Sequence, residues 1–144
     1  MGSWGYQVFC DDFAMDALEE LCGSENLAED IERMLDEALQ YKDDYIELGE
    51  CEYGLVAAAL VTVSVKGADW NLLDTKDVLS TGDDYKEFIE TVEKTDLSAL
   101  KDKAAEVLEI VKKEDSECRE LWEESEEYYN KWLNVVDSLA QKLV

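Results

Sequence analysis

The chain has 144 residues and 16.4 kDa, the length of one domain, and its 47% hydrophobic residues are enough to bury a sizeable core. Thirty-seven Asp and Glu stand against thirteen Lys and Arg, a formal net charge of -24, which disfavours binding to nucleic acid phosphates or anionic lipid headgroups. There is no histidine, so Ser-His and Cys-His nucleophile pairs, imidazole bases and the usual zinc or iron ligand sets are excluded.

Four Trp, seven Tyr and three Phe supply far more aromatic area than a disordered acidic tail carries, so the expectation is a folded domain. In chain order, Asp11 or Asp12 can cap a first short helix with Phe13, Ala14, Ala17, Leu18 and Leu21 on one side and Gly23 at its end. A second helix is expected from about Ser24 or Glu25, where Leu27, Ile31, Met34, Leu35, Ala38 and Leu39 recur at three- and four-residue steps. Gly49 and Gly54 bracket the entry to a third, Leu55 to Val65, apolar almost all round as a covered central helix is. Its end, Val61 to Val65, alternates like a strand, but no second strand pattern exists to pair with it, so helix is the reading kept. The run also falls short of the ~20 residues of a membrane span.

Residues 66–83 read as an irregular connection anchored by Trp70, Leu72 and Leu73, and as the place for a mobile loop. A short helix follows over Tyr85 to Thr91. A longer one carries Leu97, Leu100, Ala104, Val107, Leu108 and Val111, capped by Asp96 or Thr95. The last is expected to run from about Asp115 nearly to the end, because Cys118, Leu121, Trp122, Ser125, Tyr129, Trp132, Val136, Leu139 and Leu143 keep the same steps. The expected fold is all-α, a single compact domain over residues 1–144 with five or six helices and a long C-terminal one.

Cys10, Cys22, Cys51 and Cys118 form no Cys-x-x-Cys unit and read as reduced, small core residues. A redox-sensing thiol would need nearby cations, and each cysteine has acidic or apolar sequence neighbours. With neither a basic nor an apolar leader segment before them, a cytoplasmic location is expected.

Charge is unevenly spread. Residues 1–50 hold fifteen acids and only Arg33 and Lys42 as bases, a balance of -13. Glu25, Glu29, Glu32 and Asp36 fall at four-, three- and four-residue steps, with Asp43 beyond, and would form a carboxylate ridge opposite the apolar stripe of the second helix. Like charges at these steps cost about 0.2–0.5 kcal/mol per pair, so the ridge is either solvated or offset by a partner. It is the candidate surface for a basic protein. A hard cation such as Mg2+, Mn2+ or Ca2+ is the alternative, bridged by Asp11, Asp12 and Asp16 with Glu120, Glu123, Glu124 and Glu127. No calcium-loop, Glu-x-x-His or Gly-rich phosphate motif supports it, so no metal or other cofactor is expected.

Both ends carry a pattern. Met1-Gly2-Ser3-Trp4-Gly5 with Phe9, Asp12, Ala14 and Asp16 fits MGxWGxxxFxxDxAxD, and Ser116 to Ser125 contains Glu120-Leu121-Trp122-Glu123-Glu124-Ser125, with Trp132 beyond. Together they resemble the bacterial family called domain of unknown function 4259, with Ser3 where the family often has Ala and Ala17 where it often has Trp. The resemblance implies a bacterial, cytoplasmic group and no particular substrate. The pattern residues Trp4, Gly5, Phe9, Asp12, Asp16, Trp122 and Trp132 read as structural, because buried aromatics mostly fill cores. The function expected is that of a non-enzymatic binding module, of inhibitor or immunity type, whose acidic N-terminal face engages a basic partner. The alternatives are a subunit that associates through an apolar helical groove and, remotely, a carboxylate-metal hydrolase.

Overall fold

The structure, a computed structural model, describes residues 5–73 and 83–144. Among these it is all-helical, with seven α-helices and one 3-10 turn where the periodicity predicts five or six helices. Helix α1 spans Asp12–Cys22, α2 Leu27–Leu39, α3 Leu48–Lys66, α4 Asp83–Lys94, α5 Lys101–Lys112, α6 Glu117–Glu123 and α7 Glu126–Lys142. Ile46 and Ser116 form an isolated parallel bridge.

Local chemistry sets the first two starts. The Asp11 carboxylate accepts from Ala14 N at 2.7 Å, so Asp11 is the cap and Asp12 the first helical residue. Asn26 accepts from Glu29 N at 3.2 Å and donates its amide back to the Glu29 carboxylate, a reciprocal cap that begins α2 two residues after Glu25. Ile31, Met34, Leu35 and Ala38 then form its buried stripe, as the three- and four-residue spacing predicts.

Helix α3 departs from the sequence reading at its start. It begins seven residues before Leu55, because its first turn is capped from elsewhere in the chain: Leu48 N donates to the Glu117 carboxylate at 2.9 Å. Gly54 is thus not an entry to the helix but lies inside it, where a Cβ would come within 2.9 Å of Ala38 and 3.0 Å of Val107. The missing side chain lets α2 and α5 pack closely on α3. The helix is buried on nearly every side, from Leu55 to Val63, and the alternating stretch Val61 to Val65 is helical. By length and apolar composition α3 could cross a membrane, with a mean hydropathy of 1.4, but α1, α2, α4 and α5 cover it and 67% of the apolar window is buried. Gly67, at φ 88°, ends it in a conformation that L side chains rarely adopt.

Leu72 and Leu73 are buried, and their carbonyls accept from Val8 N and Phe9 N, so they anchor the connection as expected, with Trp70 half-buried beside the core. The expectation of a mobile loop falls largely on residues 74–82, which lie outside the described residues. After α4, Asp96 caps a turn rather than an α-helix, accepting from Ser98 N and the Ser98 hydroxyl; Ser98–Leu100 is 3-10 and α5 starts only at Lys101.

The long C-terminal helix is real but starts later than the periodicity predicts. Ser125 adopts an extended conformation that separates α6 from the 17-residue α7. A one-residue interruption leaves the three- and four-residue steps intact, so periodicity alone cannot reveal it. The Ser125 side chain makes no cap hydrogen bond, and Glu126 and Glu127 favour the first turn of α7 through the helix dipole.

Candidate functional site

Two groups of polar residues stand out, one on the acidic N-terminal face and one in the core. On the face, the five carboxylates of the expected ridge are not equivalent. Glu25 precedes α2 and Asp43 lies in the turns after it, so neither continues a helical row. Glu29 is engaged in the Asn26 cap. Glu32 and Asp36 both accept from Lys103 Nζ of α5, at 2.7 and 2.8 Å, and these contacts raise the lysine pKa. One of the two charges at the centre of the ridge is therefore balanced within the molecule by a base 67 and 71 positions away in the chain.

Beside it, the helices enclose a shallow cavity of about 290 Å³ lined by Phe13, Asp16, Glu37, Gly49, Glu50 and Tyr53. Asp16 and Glu37 are exposed and Glu50 half-buried; Glu37 also meets Arg33 at 3.3 Å. The negative field registers on Tyr53, whose pKa is raised by burial and by Glu20 and Asp16. Two aromatic rings with three carboxylates suit an organic cation better than an anion.

The core group was missed by the sequence reading. Glu52 is 5% exposed on α3, next to the buried Asp11, Cys51, Cys118 and Ser116. Cys118 Sγ donates to Glu52 Oε1 at 3.1 Å, the Glu52 carboxyl is hydrogen-bonded to Asp11, and Cys51 Sγ lies 3.3 Å from Ser116 Oγ. Burial first, then Asp11, pushes the Glu52 pKa well above its ordinary value and favours the protonated carboxyl. No buried side-chain nitrogen or oxygen among the described residues lacks a hydrogen bond. One sequence signal was available: Leu48, Leu55 and Val56 lie three or four residues from Glu52, so Glu52 shares an apolar helical face.

Of the pattern residues, Phe9 and Trp132 are buried, Trp122 and Gly5 half-buried, and Asp12 and Asp16 exposed; Trp4 lies outside the described residues. Among the cysteines the expectation of core positions fails for Cys22, which is exposed. The acids proposed for a cation are not brought together. Glu120 accepts from Tyr45 at 2.6 Å, Glu123 pairs with Arg119 and Glu127 with Lys131, and Asp11 points into the core. Among the described residues no group of three or more Asp, Glu or Cys is arranged to hold a metal ion.

The sequence places the chain in a family. It belongs to Domain of unknown function (DUF4259), which matches residues 2–135 and so covers nearly the whole chain, from the N-terminal segment into α7. Neither a curated protein nor a solved structure matches it.

Proposed function

We propose that this protein is a non-enzymatic, cytoplasmic binding module whose acidic N-terminal face engages a basic protein partner, as an inhibitor or immunity-type antagonist does. The observation that carries the reading is the charge of residues 1–50, fifteen acids against Arg33 and Lys42, around the cavity of Phe13, Asp16, Glu37, Gly49, Glu50 and Tyr53. A surface of this sign steers basic proteins toward it, and aromatic rings beside carboxylates favour a lysine or arginine side chain at the point of contact. Glu32 and Asp36, bound to Lys103, contribute less net charge than their position on the ridge suggests.

The test is capture from a lysate of the native cell on the tagged full chain, washed in parallel at low and high salt, with Asp16, Glu37 and Glu50 reversed to Lys in a second sample. A single basic protein, retained at low salt, released at high salt and lost in the folded triple variant, supports the reading. A partner that resists salt and binds the variant equally overturns it in favour of association through an apolar groove.

A further inference from the structure

The thiols of this protein differ in what they meet. Cys51, on α3, and Cys118, near the start of α6, are far apart in the sequence, yet both are fully buried at one junction of the two helices. Their remaining partners cross over. Cys51 Sγ lies 3.3 Å from the hydroxyl of Ser116, two residues before Cys118, while Cys118 donates at 3.1 Å to Glu52, the residue after Cys51. Backbone bonds from Ile46 N to Asp115 O at 2.9 Å and from Glu117 N to Ile46 O at 3.0 Å hold the same junction in register. Two cysteines from different elements are thus held side by side with a carboxyl group at one of them.

We propose that Cys51 and Cys118 are a peroxide-responsive thiol pair that closes into a disulfide tying α3 to α6. The sulfur of Cys51 attacks one oxygen of hydrogen peroxide. The S–O bond forms as the O–O bond breaks, and the departing hydroxide takes the thiol proton and leaves as water. Cys118 then attacks the Cys51 sulfur, the S–S bond forms as the S–O bond breaks, and the departing hydroxide takes the proton of Cys118 and leaves as water. Two thiols and one peroxide give one disulfide and two waters. The roles follow from the surroundings: the Cys51 sulfur lies against the Ser116 hydroxyl, and although burial raises its pKa its hydrogen-bonding neighbours lower it on balance, whereas the Cys118 thiol is turned to the Glu52 carboxyl and burial pushes its pKa well up. Peroxide reaches the pair when the seven-residue α6 opens locally, because so short a helix depends on its docking for stability.

The experiment exposes the folded full chain to hydrogen peroxide, unfolds it in an alkylating reagent and maps the peptides without reduction. The expected product is a linked peptide containing Cys51 and Cys118. It is accompanied by a rise in Tm of about 10 °C, as expected for closing a loop of about 70 residues, and the rise is reversed by dithiothreitol. In parallel, the chain is refolded in a glutathione redox buffer, where access to the pair is not limiting. The same disulfide is expected to dominate there and to be absent from a Cys118→Ser variant. Cys51 and Cys118 remaining alkylatable in both samples, or pairing mainly with Cys10 or Cys22, overturns the proposal.

Discussion

Carboxylates on α2 and α3 have opposite fates. Glu32 and Asp36 stay near the surface and share the ammonium of Lys103, whereas Glu52, only 5% exposed among Asp11, Cys118 and the apolar core, is pushed toward its protonated form. The α2 acids are exchangeable charges in water, worth little to the fold and available to a partner. Glu52 sits where an unpaired charge would be expensive, so its value lies in the hydrogen bonds that complete the α3–α6 junction. Net charge alone does not distinguish them, though only one group is open to recognition.

The contrast is sharpest where packing is densest. Trp132 of α7 is buried in the same core, and Trp132→Ala is expected to cost about 3–5 kcal/mol in urea denaturation. A loss below about 1 kcal/mol would show that the α7 side of the core is far less tightly packed than its burial implies. Gly54→Ala comes next. Its methyl would sit 2.9 Å from Ala38 and 3.0 Å from Val107, so the expected loss is about 1–3 kcal/mol despite the better helix propensity of alanine. A stabilised variant would mean that α2 and α5 can move apart at no cost.

Glu52→Gln tests the buried carboxyl directly, by thermal melts from pH 5 to 9. Because the folded pKa of Glu52 lies above its ordinary value of 4.5, the native state binds the extra proton between the two, and stability falls as pH rises through that window. The Gln variant keeps a donor toward Asp11 and an acceptor for Cys118 but cannot titrate, so its Tm should fall less with pH than that of the wild type. Parallel curves would place the proton elsewhere. The smallest effect is expected from Lys103→Met, which removes a surface ammonium and leaves Glu32 and Asp36 unpaired. A slight loss of Tm at low salt that vanishes at high salt is the expected result, with stronger retention of a basic partner. A large, salt-independent loss would mean that Lys103 is a structural post and not a surface counterion.

The legibility of these features followed the range of the interactions behind them. The α2 stripe of Ile31, Met34, Leu35 and Ala38 depends on residues three or four apart and is evident from spacing, while the first cap is narrowed by sequence only to Asp11 or Asp12. The first turn of α3 was not, because Glu117 supplies its cap from 69 positions away. Nor was the interruption at Ser125, since a single extended residue barely disturbs the apolar phase on either side. The acidic ridge was read correctly as spacing on α2 for Glu29, Glu32 and Asp36, but the pairing of two of these with Lys103 required α5 to be in place.

By itself, then, the sequence determined an all-helical chain, an acidic N-terminal third, the absence of imidazole chemistry and membership of DUF4259, because composition, periodicity and end motifs are local properties. Only the tertiary structure decided which carboxylates share a lysine, which one is buried, and that Cys51 and Cys118 come to one junction. Those outcomes depend on long-range packing, which sets the solvation and neighbours of each ionisable group and hence its charge.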